Sequence, residues 1–111
     1  MNTVVNSQVI SIAPSGYVNA ANATQFQEEL TAVVGKPGIS MIVVDMAEVE
    51  FIDSAGLMVL VTGLRLAKSL GRRLFLCSVG ASVRIVLELS QLDRAFDILD
   101  SQEALETSVR Y

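Results

Sequence analysis

Residues 40–46, Ser40-Met41-Ile42-Val43-Val44-Asp45-Met46, form a β-branched apolar run with no alternation. Such a run is the mark of a buried strand, covered on at least one face. A few residues later a long segment with apolar residues at helical spacing runs from about residue 54 to residue 70 and stops at Gly71. A buried strand feeding a helix constrains the fold more than any other feature here, because strands alternating with helices call for parallel neighbours and crossover connections. Between strand and helix lies Glu50-Phe51-Ile52-Asp53-Ser54-Ala55-Gly56-Leu57. A Ser or Asp at a helix start can accept a hydrogen bond from the first free backbone N–H groups. Ser54 is therefore expected at the rim of a parallel sheet, at the positive end of a helix dipole.

The rest of the chain repeats this grammar. Residues 2–5 and 8–13 alternate weakly around Asn6-Ser7 and read as two short strands, a candidate hairpin. Pro14-Ser15-Gly16 interrupts, and Tyr17-Val18 can resume a strand. A first helix follows, with Asn22 and Gln25 as a capping-box pair and Phe26, Leu30, Val33 and Val34 as its apolar stripe. Gly35 to Gly38 make the turn into the strand at 40–46, and residues 47–52 read as a connector. On the second helix Leu57, Leu60, Val61, Leu64 and Ala67 form the core face, with Met58, Thr62, Leu66 and Arg65 on the other side. Residues 73–79 read as a further buried strand, and 81–90 as a third helix turning Val83, Val86, Leu87 and Ser90 inward. Residues 91–94 connect to a short edge strand around Phe96-Asp97-Ile98-Leu99. Asp100 with Glu103 suggests a last capped helix carrying Ala104, Leu105 and Val109. Strands alternating with helices predict an α/β domain over residues 1–111 with parallel central strands.

Composition narrows the chemistry. The 111 residues carry a net charge of −4, which argues against direct nucleic-acid binding. The nearest basic cluster, Arg65, Lys68, Arg72 and Arg73, surrounds a helix C-terminus, where cations offset the dipole. No leader-like segment and no apolar run of about 18 residues is seen, so a cytoplasmic location without membrane insertion is expected. The single cysteine, Cys77, lies in a buried-strand pattern and is expected to pack in the core.

There is no histidine, which removes the usual general base near neutral pH and any Ser–His–Asp arrangement. Lys36 and Lys68, the only lysines, have no spacing that suggests approach to Ser54. Asp45, Glu48, Glu50 and Asp53 form an acidic patch whose spacing matches no calcium loop, and they read as a solvated loop. No metal, cofactor or catalytic residue is expected, and the chain reads as a binding protein rather than an enzyme. Ser54 has two readings, a helix cap or a phosphoacceptor. A phosphoryl group there would add about −1.5 to −2 charge and face free N–H groups. Its effect would fall on whatever docks at that surface.

Val44-Asp45 leading into Phe51-Ile52-Asp53-Ser54-Ala55-Gly56-Leu57 resembles the signature of STAS domains, in particular the free-standing bacterial anti-sigma-factor antagonists. Gly16-Tyr17-Val18-Asn19 resembles the family's first turn, and Leu89-Ser90-Gln91-Leu92 before Phe96 and Ile98 its closing segment. The resemblance implies a STAS fold, a four- to five-stranded mixed sheet flanked by about four helices. It implies that the unphosphorylated chain binds an anti-sigma factor that is also a serine kinase of the GHKL type, releasing the sigma factor. Phosphorylation of the motif serine, here Ser54, would end binding, and a PP2C-type phosphatase would reset it. Asp53 would be the electrostatic neighbour, and Asn19, Ala20, Ala55, Gly56, Met58 and Thr62 would join the partner surface, the small residues admitting a partner backbone. Asn19 stands where the family often has an acid, keeping an acceptor but losing the charge. One alternative is a structural subunit of a larger transport or stress-signalling complex, with Ser54 only a cap. Another is a nucleotide or small-ligand binder at the strand ends. The apolar outer face of the second helix could also serve a homodimer.

Overall fold

In the computed structural model, residues 4–6 and 9–100 are described. The order is β1 (Val4–Asn6), β2 (Val9–Ile12), β3 (Ser15–Val18), α1 (Ala23–Val34), β4 (Met41–Asp45), β5 (Glu48–Ile52), α2 (Ser54–Ser69), β6 (Arg73–Cys77), α3 (Ala81–Leu89), a 3-10 turn (Leu92–Arg94) and β7 (Asp97–Leu99). Five strands form one sheet in the order β1-β2-β4-β6-β7. β1 and β2 pair antiparallel, the expected hairpin, while β2-β4, β4-β6 and β6-β7 are parallel. The sheet is thus mixed, with β4 at its centre between two parallel neighbours, and Ile42, Val43 and Val44 are all fully buried.

Alternation sorts the side chains. Ile10 and Ile12, Ile42 and Val44, and Leu74 and Leu76 lie in the main core with the helices. Val43, Phe75 and Cys77 form a second buried cluster, joined by Val9, Met41 and Leu99. α1 and α2 pack on each other, α2 lies over β6, and α3 lies against β5. Phe26, Leu30 and Val34 are buried from α1, as its periodicity predicts. The buried stripe of α2 is wider than expected. Gly56, Val59 and Gly63 join Leu57, Leu60 and Ala67, because a helix packed on both α1 and the sheet buries more than one narrow face. Gly71, with φ +70°, follows the C-terminus of α2 in the left-handed conformation that ends helices.

Several expectations change. The connector at 47–52 is a strand: β5 pairs in parallel with β3 in a separate two-stranded sheet. Its pattern of exposure does not alternate, because the register skips Glu50 between the pairs Gly16–Val49 and Tyr17–Phe51. That bulge hides the period-2 signal. Three α-helices are present among the described residues, against about four expected, and the helix foreseen after Asp100 lies outside them. Asn22 stands at the N-cap position of α1 but its side chain does not cap the helix. Ser90 is exposed, its hydroxyl donating back to the Val86 carbonyl at 2.8 Å. Arg72 serves the ends of two helices: its backbone N–H donates to the Ala67 carbonyl of α2 at 2.8 Å, while its side chain goes to the end of α1. Its guanidinium donates to the carbonyls of Val34 and Lys36, groups with no intrahelical partner. Arg73 pairs with Asp97 at 3.3 Å on the surface and lies over the Phe75 ring. Cys77 is fully buried, and burial, with the Asp45 charge second, pushes its thiol up to about 11.

Candidate functional site

β3 and β5 run in parallel and end side by side, at Val18 and Ile52. After Val18 the chain turns through residues 19–22, and after Ile52 it enters α2. The two exits are tied together: the backbone N–H of Asp53 donates to the Val18 carbonyl at 3.1 Å. Asp53 then takes extended dihedrals and caps α2. One carboxylate oxygen accepts from the Gly56 N–H at 3.0 Å, satisfying one of the free donors of the first turn. The other accepts from the Ala20 N–H at 3.2 Å, 33 residues away in sequence. One side chain therefore positions the first turn of α2 and the turn before α1.

This settles how Ser54 is used in the fold. The cap is Asp53, and Ser54 is the first residue of the helix itself, exposed to solvent. Its hydroxyl makes no hydrogen bond to any described residue. The reading of Ser54 as a capping residue is corrected by this one-residue difference in where the helix begins. A hydroxyl so placed is accessible, lies at the positive end of α2, and has Asp53 beside it.

The turn at 19–22 is built by two asparagines. The Asn22 side chain accepts from the Asn19 N–H at 2.9 Å and donates to the Tyr17 carbonyl at 2.7 Å, which is why it is not free to cap α1. The Asn19 side-chain oxygen accepts from the Ala21 N–H at 3.0 Å. Only an acceptor is needed there, so an amide does what a carboxylate would do for the turn, without the charge. Asn19 is half-buried and Ala20 is exposed.

Ser54, Met58 and Thr62 follow at i, i+4 and i+8 and share one face of α2. Met58 is 53% exposed, while Thr62 is half-buried and donates its hydroxyl to the Met58 carbonyl at 2.9 Å. Leu66, further along, is partly buried against the core. Ala55 is half-buried. Gly56 is buried, and its smallness is used inside the chain. A β-carbon there would come 2.7 Å from the Val18 carbonyl oxygen and 2.8 Å from side-chain atoms of Val18 and Ile52. Within this chain, the backbone that approaches Gly56 is that of β3.

The acidic patch is divided. Asp45 accepts from the Ala47 N–H at 3.0 Å, Asp53 is committed to Gly56 and Ala20, and Glu48 and Glu50 are exposed. Among the described residues no group of three or more His, Cys, Asp or Glu converges to hold a metal ion. No described helix is long and apolar enough to cross a membrane. Sequence reasoning missed two exposed aromatic residues beside this site, Tyr17 and Phe51, whose rings lie 6.4 Å apart between centroids. Their placement depends on the β3-β5 pairing, and the only sequence sign was an aromatic residue two positions before both Asn19 and Asp53.

The chain resembles known proteins along most of its length. BtrV of Bordetella bronchiseptica, described as a candidate anti-sigma factor antagonist, is 37% identical over 89 residues, covering 80% of this chain and 76% of that protein. The crystal structure of a candidate anti-sigma factor antagonist from Thermotoga maritima superposes with a TM-score of 0.89 at 29% identity, covering 99% of this chain and 94% of that one. The Bacillus cell-fate determinant SpoIIAA in its phosphorylated form shares the fold, with a TM-score of 0.73 at 17% identity over 96% and 97% of the two chains. The STAS domain family itself matches residues 1–105. With a mixed sheet, a buried glycine under β3 and an Asp-Ser pair opening α2, the chain belongs to the STAS domain family.

Proposed function

We propose that this chain is a phosphorylation-controlled antagonist of an anti-sigma factor. The observation that carries the reading is the Ser54 hydroxyl, exposed and unpartnered at the first position of α2, with the capping task already taken by Asp53. Names of relatives support the same role, since BtrV and the Thermotoga maritima protein are both described as candidate anti-sigma factor antagonists. The unphosphorylated chain binds an anti-sigma factor that is also a GHKL-type serine kinase, and the sigma factor is released. The kinase moves the γ-phosphoryl group of ATP to Ser54 Oγ; the O–P bond forms, ADP leaves and the hydroxyl proton passes to solvent. A PP2C-type phosphatase hydrolyses the ester and restores binding. The site lies in the cytoplasm in this reading, and the chain itself catalyses nothing.

The physics of the switch is local. A dianion at the first helical position meets the helix dipole favourably, so the fold of the chain tolerates it. The partner does not. A surface that fits a neutral hydroxyl beside the Asp53 carboxylate would have to desolvate two further negative charges there. The small or unbranched residues around Ser54, Ala20, Ala55 and Met58, leave room for a close partner surface. The rival reading is a permanent structural subunit with Met58, Thr62 and Leu66 as its interface; it took Ser54 as a cap, and the cap of α2 is Asp53.

The test is a calorimetric titration of the purified kinase with wild type, Ser54→Ala and Ser54→Asp, alongside mass spectrometry of the chain from its native cells. Ser54→Ala is expected to bind within a few-fold of wild type, since it adds no charge and breaks no hydrogen bond among the described residues. Ser54→Asp is expected to bind at least tenfold more weakly. Equal binding by wild type and Ser54→Asp, or no phosphate on Ser54 under growth, starvation or stress, would refute the switch.

A further inference from the structure

Beside the Ser54 face lies a surface that its chemistry does not use. β5 carries a bulge at Glu50, and the result is that Glu50 and Phe51 are both exposed while Ile52 turns inward to the core. Without the bulge, strict alternation from the buried Val49 would bury Phe51 and expose Ile52. The bulge is anchored from outside: the Ser82 hydroxyl at the start of α3 donates to the Glu50 carbonyl at 2.7 Å. Across the pair, Tyr17 of β3 stands opposite Phe51. Tyr17 is 60% exposed and Phe51 44%, their planes inclined at 59°. Two aromatic rings held together in water are costly to leave uncovered and are the residue types that anchor interfaces.

The two acids on the strand that carries Phe51, Glu48 and Glu50, are exposed and in no ion pair among the described residues; the one such pair, Arg73 with Asp97, does not involve them. Two copies of this chain meeting through the patch would set these acids against each other, on top of a net charge of −4 each. The complement of the patch is an apolar side chain flanked by Lys or Arg.

We infer that the Tyr17–Phe51 pair, rimmed by Glu48 and Glu50, is an anchor for the anti-sigma partner, taking an apolar side chain with a basic neighbour next to the Ser54 contact. The inference rests on the proposed function, and it divides the labour within one interface. The aromatic pair supplies affinity that phosphorylation does not alter, and the Ser54 end supplies the switch. The position supports this, because β3 and β5 lead within two residues into Asn19 and Asp53.

The probe is the purified serine-kinase anti-sigma factor, titrated at low and high salt against the full chain. Tyr17→Thr and Phe51→Thr keep strand propensity and remove the rings. Each is expected to weaken binding about tenfold or more. The double variant Glu48→Lys, Glu50→Lys, in which no aromatic packing changes, is expected to weaken binding and flatten its salt dependence. Unchanged binding by the ring and charge variants, with Ser54→Asp still defective, overturns the anchor and leaves the proposed function standing. Unchanged binding by all of them, Ser54→Asp included, overturns both. A wild-type dimer in sedimentation that Phe51→Thr dissolves assigns the patch to a second copy and also overturns the anchor.

Discussion

Gly56→Ala and Gly63→Ala are the same substitution on the same helix, and they should behave differently. In both cases alanine removes backbone freedom from the unfolded chain and gains up to about 1 kcal/mol of helix preference. The opposing effect depends on what the new methyl group meets. At Gly56 it would sit 2.7 Å from the Val18 carbonyl oxygen, a backbone atom held in the β3-β5 pair, and 2.8 Å from side-chain carbons of Val18 and Ile52. None of these can rotate away as one piece, since Ile52 is fully buried and Val18 nearly so. Relief requires β3 and α2 to separate, which stretches the Asp53 N–H bond to Val18 and the Asp53 bonds to Gly56 and Ala20. Overpacking of this kind costs about 1–3 kcal/mol, and each weakened hydrogen bond adds about 0.5–1.5 kcal/mol. The net loss for Gly56→Ala is about 2–4 kcal/mol. At Gly63 the nearest atoms are Cδ2 and Cγ of Leu30 on α1, at 2.6 and 3.1 Å, a side chain that is itself fully buried but that can shift without moving any backbone. There the helix gain offsets part of the packing cost and no hydrogen bond is stretched, so the net loss is about 0–2 kcal/mol. Urea unfolding of the three proteins at one temperature measures both differences, with unchanged slopes confirming that the folded and unfolded states are comparable. If Gly56→Ala is no more destabilising than Gly63→Ala, the approach of β3 to the start of α2 is not the constraint argued here.

Two other perturbations test the site and the core. Asp53→Ala loses the cap and the tie to the turn, for about 1–2 kcal/mol, whereas Asp53→Asn keeps an acceptor for the Gly56 N–H but offers none to Ala20. Hydrogen exchange should therefore quicken at the Ala20 amide in both variants and at the Gly56 amide in Asp53→Ala alone. Cys77 gives a pH signature. With its thiol raised to about 11 in the folded chain, against 9.0 as its ordinary value, the unfolded chain loses the proton first. Stability contributed by the neutral thiol is complete below pH 9 and is lost as pH rises toward 11, by about 2–3 kcal/mol. Unfolding curves of wild type and Cys77→Ala across that window should converge as pH rises; parallel curves would contradict the burial argument.

Much of the molecule is legible in local patterns. The apolar run at residues 42–44, the helical spacing from Leu57 to Ala67, the hairpin near Asn6 and the Asp-Ser pair before an apolar helix are properties of neighbours within a few residues. Each is decided by propensity, periodicity or capping chemistry. They suffice for an α/β domain with parallel central strands and for Ser54 as the residue to watch.

What local patterns do not contain is the outcome of competition between distant groups. β5 exists because β3 lies beside it, and its bulge breaks the alternation that would have revealed it. Asp53 rather than Ser54 became the cap because a carboxylate with two acceptor oxygens can hold both Gly56 and Ala20, and a hydroxyl cannot span both elements. Arg72 reached across to the carbonyls ending α1, and Gly56 was taken up by the backbone of β3. Helices and central strands follow from interactions close in the chain. Caps, edge pairings and surface patches follow from which segments the closed core brings within hydrogen-bonding reach, and only the folded molecule decides that.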